Sequence, residues 1–294
     1  MNYYENIKEE LISNEVYKKV KDYSKNKSDL KTYYNVGKML SEAGKHYGES
    51  IIKEYSKKLT NELGKGYTTT NLKYIRQFYW MVEKGHTVCD QLTWSHYRTL
   101  LVISNNNELN YYVNLSMKYN LSVRELKNKI KSNEYERLDN STKEKLKKEE
   151  KLQVQDLVKN PIILKTDKEI IKEKALQQLI LEDMSNFLKE LGNGFSFIDN
   201  EYKIKIGNNY NYIDLLLYNI TYNCYVVIEL KVTELRKEHI GQIETYMNYI
   251  DKNLKTINQD KTIGIIITKK DNKFIMEYCS DKRILNTTYE LQGV

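Results

Sequence analysis

Residues 212–232 read YIDLLLYNITYNCYVVIELKV: two apolar runs separated by a turn at 220–223. In an extended strand alternate side chains share a face. Ile213, Leu215 and Leu217 therefore point one way and Asp214 the other. On the returning run Val226, Ile228, Leu230 and Val232 line one face, while Glu229 and Lys231 sit side by side on the opposite one. A carboxylate inside such an apolar strand costs several kcal/mol unless it is paired or ligates a cation. Two antiparallel strands can bring Asp214 next to Glu229. Their carboxylates and the Leu230 backbone carbonyl then make a hard-oxygen half-site suited to Mg²⁺, with Mn²⁺ as a substitute. Lys231 stands beside it. The competing reading is a buried Glu229–Lys231 ion pair with Asp214 capping a turn. An E-x-K pattern alone decides nothing in a chain this rich in both residues.

Outward from this stretch, periodicity predicts a helix over Lys237–Leu254 that carries Gln242 and Tyr246 on one face, four residues apart. Beside a metal site they could bond substrate phosphate or orient Lys231; elsewhere such a pair is ordinary surface or core edge. Upstream, Asp167–Leu191 reads as one helix ended by Gly192 and Gly194. The runs FSFI, EYKIKI, TIGIIITKK and KFIMEYC read as further strands. A helix, three or more strands, a helix and two more strands describe an α/β domain with a mixed central sheet.

The N-terminal half has helical spacing instead. Ile51, Ile52, Tyr55 and Leu59 form one stripe, stopped by Gly64 and Gly66. Thr70-Asn71 offers an N-cap for a helix that turns Leu72, Ile75, Phe78, Tyr79 and Val82 inward and Lys73 and Arg76 to another face. Leu92–Ile103 and Asn107–Tyr119 continue the pattern, and Ser122 with Glu125 forms a capping box. Short helices with tight turns suit a helix-turn-helix-like domain, and equally a bundle that binds protein. The lone proline, Pro161, follows a charged stretch. We therefore expect an all-α domain over 1–140, a charged linker over 141–165 and the α/β domain over 166–294.

The 294 residues carry a net charge of +7, with 40% hydrophobic and 30% charged side chains. Residues 1–150 hold 27 Lys/Arg against 20 Asp/Glu, and the remainder holds 20 of each, so the whole excess lies in the helical half. A polyanionic partner would meet it there, although a solvated lysine-rich surface has the same balance. The 26 tyrosines against 5 phenylalanines reflect an AT-rich genome more than function. No run approaches the ~18 apolar residues that span a bilayer. The opening MNYYENIKEELISNEVY has no basic segment before an apolar core, so no secretory signal is expected. Cys89, Cys224 and Cys279 form no CxxC pair, and His46, His86, His96 and His239 lack ligand spacing. The expectation is a cytoplasmic protein.

Taken in order, GFSFIDNEYKIKI, YIDLLLYN, CYVVIELKV, GQIETYMNYI and TIGIII resemble the YhcG family of PD-(D/E)XK nucleases. The Gln242/Tyr246 pair is similar to that of RecB-like members of the superfamily. Residues 33–79, LTWSHYRTLLVI and LSVRELKNKI resemble the N-terminal domain fused to this nuclease, and DLVKNPIIL resembles its connector. Nearly the whole chain is covered.

The resemblance implies a restriction-endonuclease-like fold behind a winged-helix-like DNA-binding domain. It implies Asp214 and Glu229 as metal ligands, Lys231 as the catalytic lysine, Gln242 and Tyr246 as a supporting catalytic pair, Mg²⁺ as cofactor and DNA as substrate. Lys73, Arg76 and Arg98 are the candidate phosphate contacts. The sequence departs from the pattern at one place: Gln177 stands where many superfamily members carry a metal-proximal Glu, with Glu173 one turn earlier and Glu182 farther along. Three functions then compete: a metal-dependent deoxyribonuclease, a DNA-binding protein with a degenerate nuclease fold, and a protein-interaction scaffold. Nucleases of this fold often pair to cut two strands, which makes a homodimer compatible with the first.

Overall fold

The computed structural model describes residues 2–20, 25–84, 91–170 and 172–293; His86 and Cys89 lie outside the described residues. The chain forms two compact units, Met1–Tyr135 and Glu136–Val294.

The first unit contains α1 (Tyr3–Val20), α2 (Lys25–Tyr47), α3 (Ile51–Leu63), α4 (Thr69–Glu83), α5 (Trp94–Leu100), α6 (Asn106–Tyr119) and α7 (Val123–Lys131). Its apolar stripes converge: Ile7, Leu11, Val36, Leu40, Ile52, Leu59, Leu72 and Ile75 share one core. Gly64 ends α3 at φ 92°, a conformation open to glycine. The N-cap of α4 is Thr68, whose hydroxyl accepts from the Asn71 amide at 3.3 Å, so the helix starts before the expected Thr70-Asn71. At α7 the capping box forms as read, the Ser122 amide donating to Glu125 at 2.8 Å and the Glu125 amide to Ser122 at 3.2 Å. Among the described residues of this unit no strand forms, so nothing there corresponds to the β-wing of a winged helix.

The second unit runs α8 (Asn140–Lys147), a 3₁₀ turn (Val154–Leu157), β1 (Ile162–Lys165), α9 (Glu173–Glu182), α10 (Met184–Leu191), β2 (Phe195–Ile206), β3 (Asn209–Asn219), β4 (Cys224–Glu234), α11 (Lys237–Asn253), β5 (Asp260–Lys270), α12 (Lys273–Glu277) and β6 (Ile284–Gln292). The six strands form one mixed sheet in the order β1-β6-β5-β4-β3-β2. Strands β1, β6, β5 and β4 run parallel, β3 pairs antiparallel with β4, and β2 pairs antiparallel with β3. Leu176, Ile180, Phe187 and Leu191 of α9 and α10 pack with Leu215, Leu217, Val226, Ile228 and Leu230. Ile243, Tyr246, Met247 and Ile250 of α11 pack with Leu216, Val227 and Ile266. Helix α11 lies so near β5 that a Cβ on Gly264 would meet the Met247 sulfur at 2.5 Å, so any side chain there would have to displace Met247 and Ile243.

Four sequence expectations need correction. The stretch 141–165 holds α8, the 3₁₀ turn and β1, because its charges satisfy one another. Lys145 meets the buried Asp156 at 2.8 Å, and IIL at 162–164 adds a strand beside β6. The single helix over 167–191 is two, starting at Glu173 and broken at Asp183, whose carboxylate accepts from the Asn186 amide and caps α10. FSFI and EYKIKI are one strand with an irregularity between Phe197 and Asp199. KFIMEYC contains helix α12, capped by Asn272 at the Ile275 amide, and the strand beside β5 is ILNTTYELQ.

Candidate active site

Strands β3 and β4 form a fork, and the carboxylates lie at its crotch. The β2–β3 pairing runs from Phe195↔Asn219 to Ile206↔Asn209, whereas the β3–β4 pairing stops at Leu215↔Ile228. One further step of that register sets Asp214 opposite Glu229, and directly opposed residues project from the same face. There the Leu230 amide donates to Asp214 Oδ2 at 2.7 Å. The Asp214 carbonyl accepts instead from Gln177 Nε2 of α9, at 3.0 Å. A strand residue presents its N–H and C=O to the same neighbour, so the Leu230 carbonyl also faces the fork. Ile213 departs from the expected alternation. It packs with Leu216 and Val227 rather than with Leu215 and Leu217.

Glu229 is 2% exposed. Its Oε1 accepts from Lys231 Nζ at 2.8 Å, and its Oε2 is buried without a hydrogen-bond partner. Burial, and then the charge of Asp214, pushes its carboxyl up to about 7. Burial also raises Asp214, against the opposing pull of the Leu230 amide and Lys231. Burial works against the charge on Lys231, but the Glu229 carboxylate beside it outweighs this and holds the ammonium above its ordinary value. Glu173 Oε2 lies 3.4 Å from the same Nζ. Helix α9 thus turns both Glu173 and Gln177, one turn apart, toward the fork. Glu182 instead accepts from its neighbour Gln178 at 3.4 Å.

The α11 pair is assembled as well: Gln242 Nε2 donates to the Tyr246 hydroxyl at 3.1 Å, and Tyr246 is buried. Burial is the main reason its phenol is raised, with Glu229 and Asp214 adding to it. Two nearby residues carry no signal in the sequence pattern. His239, whose imidazole is lowered by burial and then by Lys231, caps α11 by accepting from the Arg236 amide at 3.2 Å. Glu201 lies across β2 from Asp214, between the pairs Asn200↔Leu215 and Tyr202↔Ile213, and its charge raises Asp214 further. Only the β2–β3 register could have revealed Glu201, and only the cap of α11 could have revealed His239.

The three basic residues of the helical unit are not brought into one cluster of contacts. Lys73 is exposed. Arg98 is exposed with its guanidinium 5.2 Å from the Tyr74 ring centre. Arg76, expected on a solvent face, is 8% exposed and bonds both oxygens of Glu49 at 2.7 and 2.8 Å.

A divalent cation fits the fork by its donors. No group of three His, Cys, Asp or Glu side chains arranged to hold an ion occurs among the described residues. Mg²⁺ does not need one, because it keeps several waters and uses one or two carboxylates. The buried, unpartnered Glu229 Oε2 is the atom such an ion would satisfy. Among the described residues no helix is long and apolar enough to cross a membrane.

Comparison with known proteins places the two units in described domain families. The chain is 24% identical to the YhcG protein of Escherichia coli (strain K12) across 90% of its own length and 80% of that protein's. A repair endonuclease from Pyrococcus abyssi overlaps 42% of this chain and 49% of its own, at 17% identity and TM-score 0.30. EndoMS bound to double-stranded DNA overlaps 44% and 48%, at 19% identity and TM-score 0.29. Overlaps that slight, spanning about half of each solved chain, carry no argument about substrate. Residues 9–137 match the DUF1016 N-terminal domain, and residues 155–292, which hold the whole fork, match the YhcG PDDEXK nuclease domain. The chain belongs to the YhcG family of PDDEXK nuclease-domain proteins.

Proposed function

We propose that this chain is a Mg²⁺-dependent deoxyribonuclease that hydrolyses phosphodiester bonds at the β3–β4 fork, with Mn²⁺ able to replace Mg²⁺. The observation that carries the reading is the orphaned Glu229 Oε2, buried beside Asp214 and an ammonium group. Two carboxylates crowded between two apolar strands are unfavourable without a cation, and family membership supplies the chemistry that uses one.

Asp214, Glu229 and the Leu230 carbonyl would hold the ion. Once bound, it would supply Lewis-acid charge to the scissile phosphate and to a water. Lys231 stays protonated between Glu229 and Glu173. From there its ammonium can orient the attacking water and offset negative charge developing on the phosphate. Gln177 fixes the main chain of Asp214, and the Leu230 amide fixes its side chain, so the carboxylate is oriented before any substrate arrives. Gln242 holds the Tyr246 hydroxyl at the α11 side of the fork, within reach of the Glu229 field. The helical unit, with Lys73 and Arg98 as exposed cations, would add phosphate contacts.

The test is cleavage of linear, nicked and branched DNA by purified protein in Mg²⁺, beside Asp214→Ala and Lys231→Ala. Wild type should cut and both variants should not. Variants that cut as well as wild type would remove the fork from the chemistry. Calorimetric Mn²⁺ binding lost in Asp214→Ala would tie the ion to the fork independently of turnover.

A further inference from the structure

The hairpin of β2 and β3 outruns the sheet. Its pairs Tyr202↔Ile213, Lys203↔Tyr212, Ile204↔Asn211, Lys205↔Tyr210 and Ile206↔Asn209 all lie beyond Leu215↔Ile228, where β4 stops pairing with β3. At ~3.3 Å per residue this is an arm on the order of 15 Å long. It is closed by a two-residue turn that starts with Gly207 at φ 61°. It leaves the sheet at the residue that bears the fork's first carboxylate.

A two-stranded ribbon is marginal in water unless one face is covered. Here one face is: Ile204 and Ile213 are buried with Ile243 and Met247, and Tyr202 packs against them. The other face, by the same register, carries Lys203, Lys205, Tyr210 and Tyr212. Tyr210 and Tyr212 are 56% and 52% exposed, although each has a large apolar ring. The ammonium groups of Lys203 and Lys205 lie 3.9 and 5.9 Å from the Tyr210 ring centre. Exposed cation–π pairs contribute little to folding, so the fold gains little by displaying two rings and two cations together.

Exposed rings set among ammonium groups form the pattern that accepts single-stranded nucleic acid, the Lys203 ammonium leaving the Tyr210 face as a base takes its place. Bases stack on the rings whatever their identity, and the cations take the phosphates. Bases within a duplex are already stacked and have no face to offer. Tyr212 stands two residues from Asp214 on the same strand, so a nucleotide on the arm is delivered next to the fork.

We propose that the β2–β3 arm binds a single strand of DNA, with bases on Tyr210 and Tyr212 and phosphates on Lys203 and Lys205, and that the preferred substrate therefore carries a single-stranded tail, flap or branch. This rests on the nuclease reading for the choice of DNA, and goes beyond it in assigning a binding site and a substrate class.

The test uses the full chain in EDTA, where no cleavage intervenes, with a fluorescein-labelled single strand and the same sequence as a blunt duplex, read by anisotropy. Tyr210→Ala/Tyr212→Ala should weaken single-strand binding by at least ~10-fold and duplex binding by less than ~2-fold. Tyr210→Phe/Tyr212→Phe, which keeps the rings, should bind like wild type. Lys203→Gln/Lys205→Gln should lower the salt slope for the single strand by about 1.4, the release expected for two phosphates. Unchanged melting temperatures would show that the variants fold.

Single-strand affinity unmoved by loss of the rings, absent in wild type, or lost equally for duplex would overturn the arm. Cleavage in Mg²⁺ separates the two readings. Asp214-dependent cutting with an inert arm sinks only the arm. Ring-dependent single-strand binding without any cutting sinks only the nuclease.

Discussion

Gln177 Nε2 donates to the backbone carbonyl of Asp214 at 3.0 Å, so helix α9 grips strand β3 where the strand leaves its partner. Gln177, which the family resemblance sets at the place of a metal-proximal Glu, holds main chain here. A carboxylate could not make that bond at neutral pH, since it has no hydrogen to donate. Glu173, one turn away and 3.4 Å from Lys231, keeps an acidic group on the same helix face.

Removing the grip should be visible without any substrate. Gln177→Ala leaves a carbonyl without its donor and should cost about 1–3 kcal/mol of stability. Gln177→Glu should be destabilised further in EDTA, because a third carboxylate joins Asp214 and Glu229. It should also show a larger rise in melting temperature on adding Mg²⁺ than wild type does. Equal rises in the two proteins would mean that residue 177 does not face the ion.

The titration of Glu229 sets a pH dependence with a definite sign. Its carboxyl in the fold is pushed up to about 7, by burial first and Asp214 second, above the ~4.3 of an unfolded chain. The metal-free fold therefore keeps a proton that the unfolded chain releases. That contribution to stability is whole below about pH 4.3 and is lost as pH rises through about 7. Between pH 5 and 8 in EDTA, wild type should lose roughly 2–3 kcal/mol relative to Glu229→Gln, measured by urea unfolding. Saturating Mg²⁺ should flatten the difference, because the ion binds the deprotonated form. Parallel pH profiles in EDTA would contradict the assignment.

Much of this site was legible in the sequence, because period-two alternation encodes faces directly. Asp214, Glu229 and Lys231 were read as a group from alternation, and Gln242 with Tyr246 from helical spacing. What escaped were features set by register and capping. Glu201 acquires its relation to Asp214 only once β2 pairs with β3. Helix α12 forms because Asn272 caps it, although KFIMEYC alternates well enough to be a strand. The strand beside β5, ILNTTYELQ, is half polar, and its buried Thr287 bonds the Lys159 carbonyl at 2.7 Å, a long-range partner that no local pattern announces.

Lys231 should matter to the fold as well as to turnover. Lys231→Met keeps the stem and deletes the ammonium, leaving the buried Glu229 without its partner. Breaking such a pair costs about 3–5 kcal/mol when the survivor must stay charged. The loss should appear at pH 8 and shrink at pH 5, where Glu229 is protonated. Glu229→Gln/Lys231→Met should recover most of the stability while remaining inactive. A double variant no more stable than Lys231→Met at pH 8 would deny the pairing.

Arg76 provides the sharpest test of which cations in the helical unit face solvent. Helical spacing sets it on a face with Lys73, yet its guanidinium bonds both oxygens of Glu49 and lies 4.7 Å from the Trp80 ring centre. The first contribution holding Glu49 below the usual carboxylate range is that hydrogen bonding to Arg76. A guanidinium so engaged has its charge matched locally and both terminal nitrogens bonded, so it is a poor phosphate ligand. Arg76→Lys keeps the charge but loses the fork geometry and the ring contact, and should cost about 1–2 kcal/mol of stability. In Arg76→Gln, which removes the charge, the salt slope of duplex binding should not move. Lys73→Gln/Arg98→Gln should do the reverse, leaving stability within about 0.5 kcal/mol and lowering the slope by about 1.8 if both touch phosphate. A salt slope that falls in Arg76→Gln would make this residue a phosphate contact and require Glu49 to release it on binding.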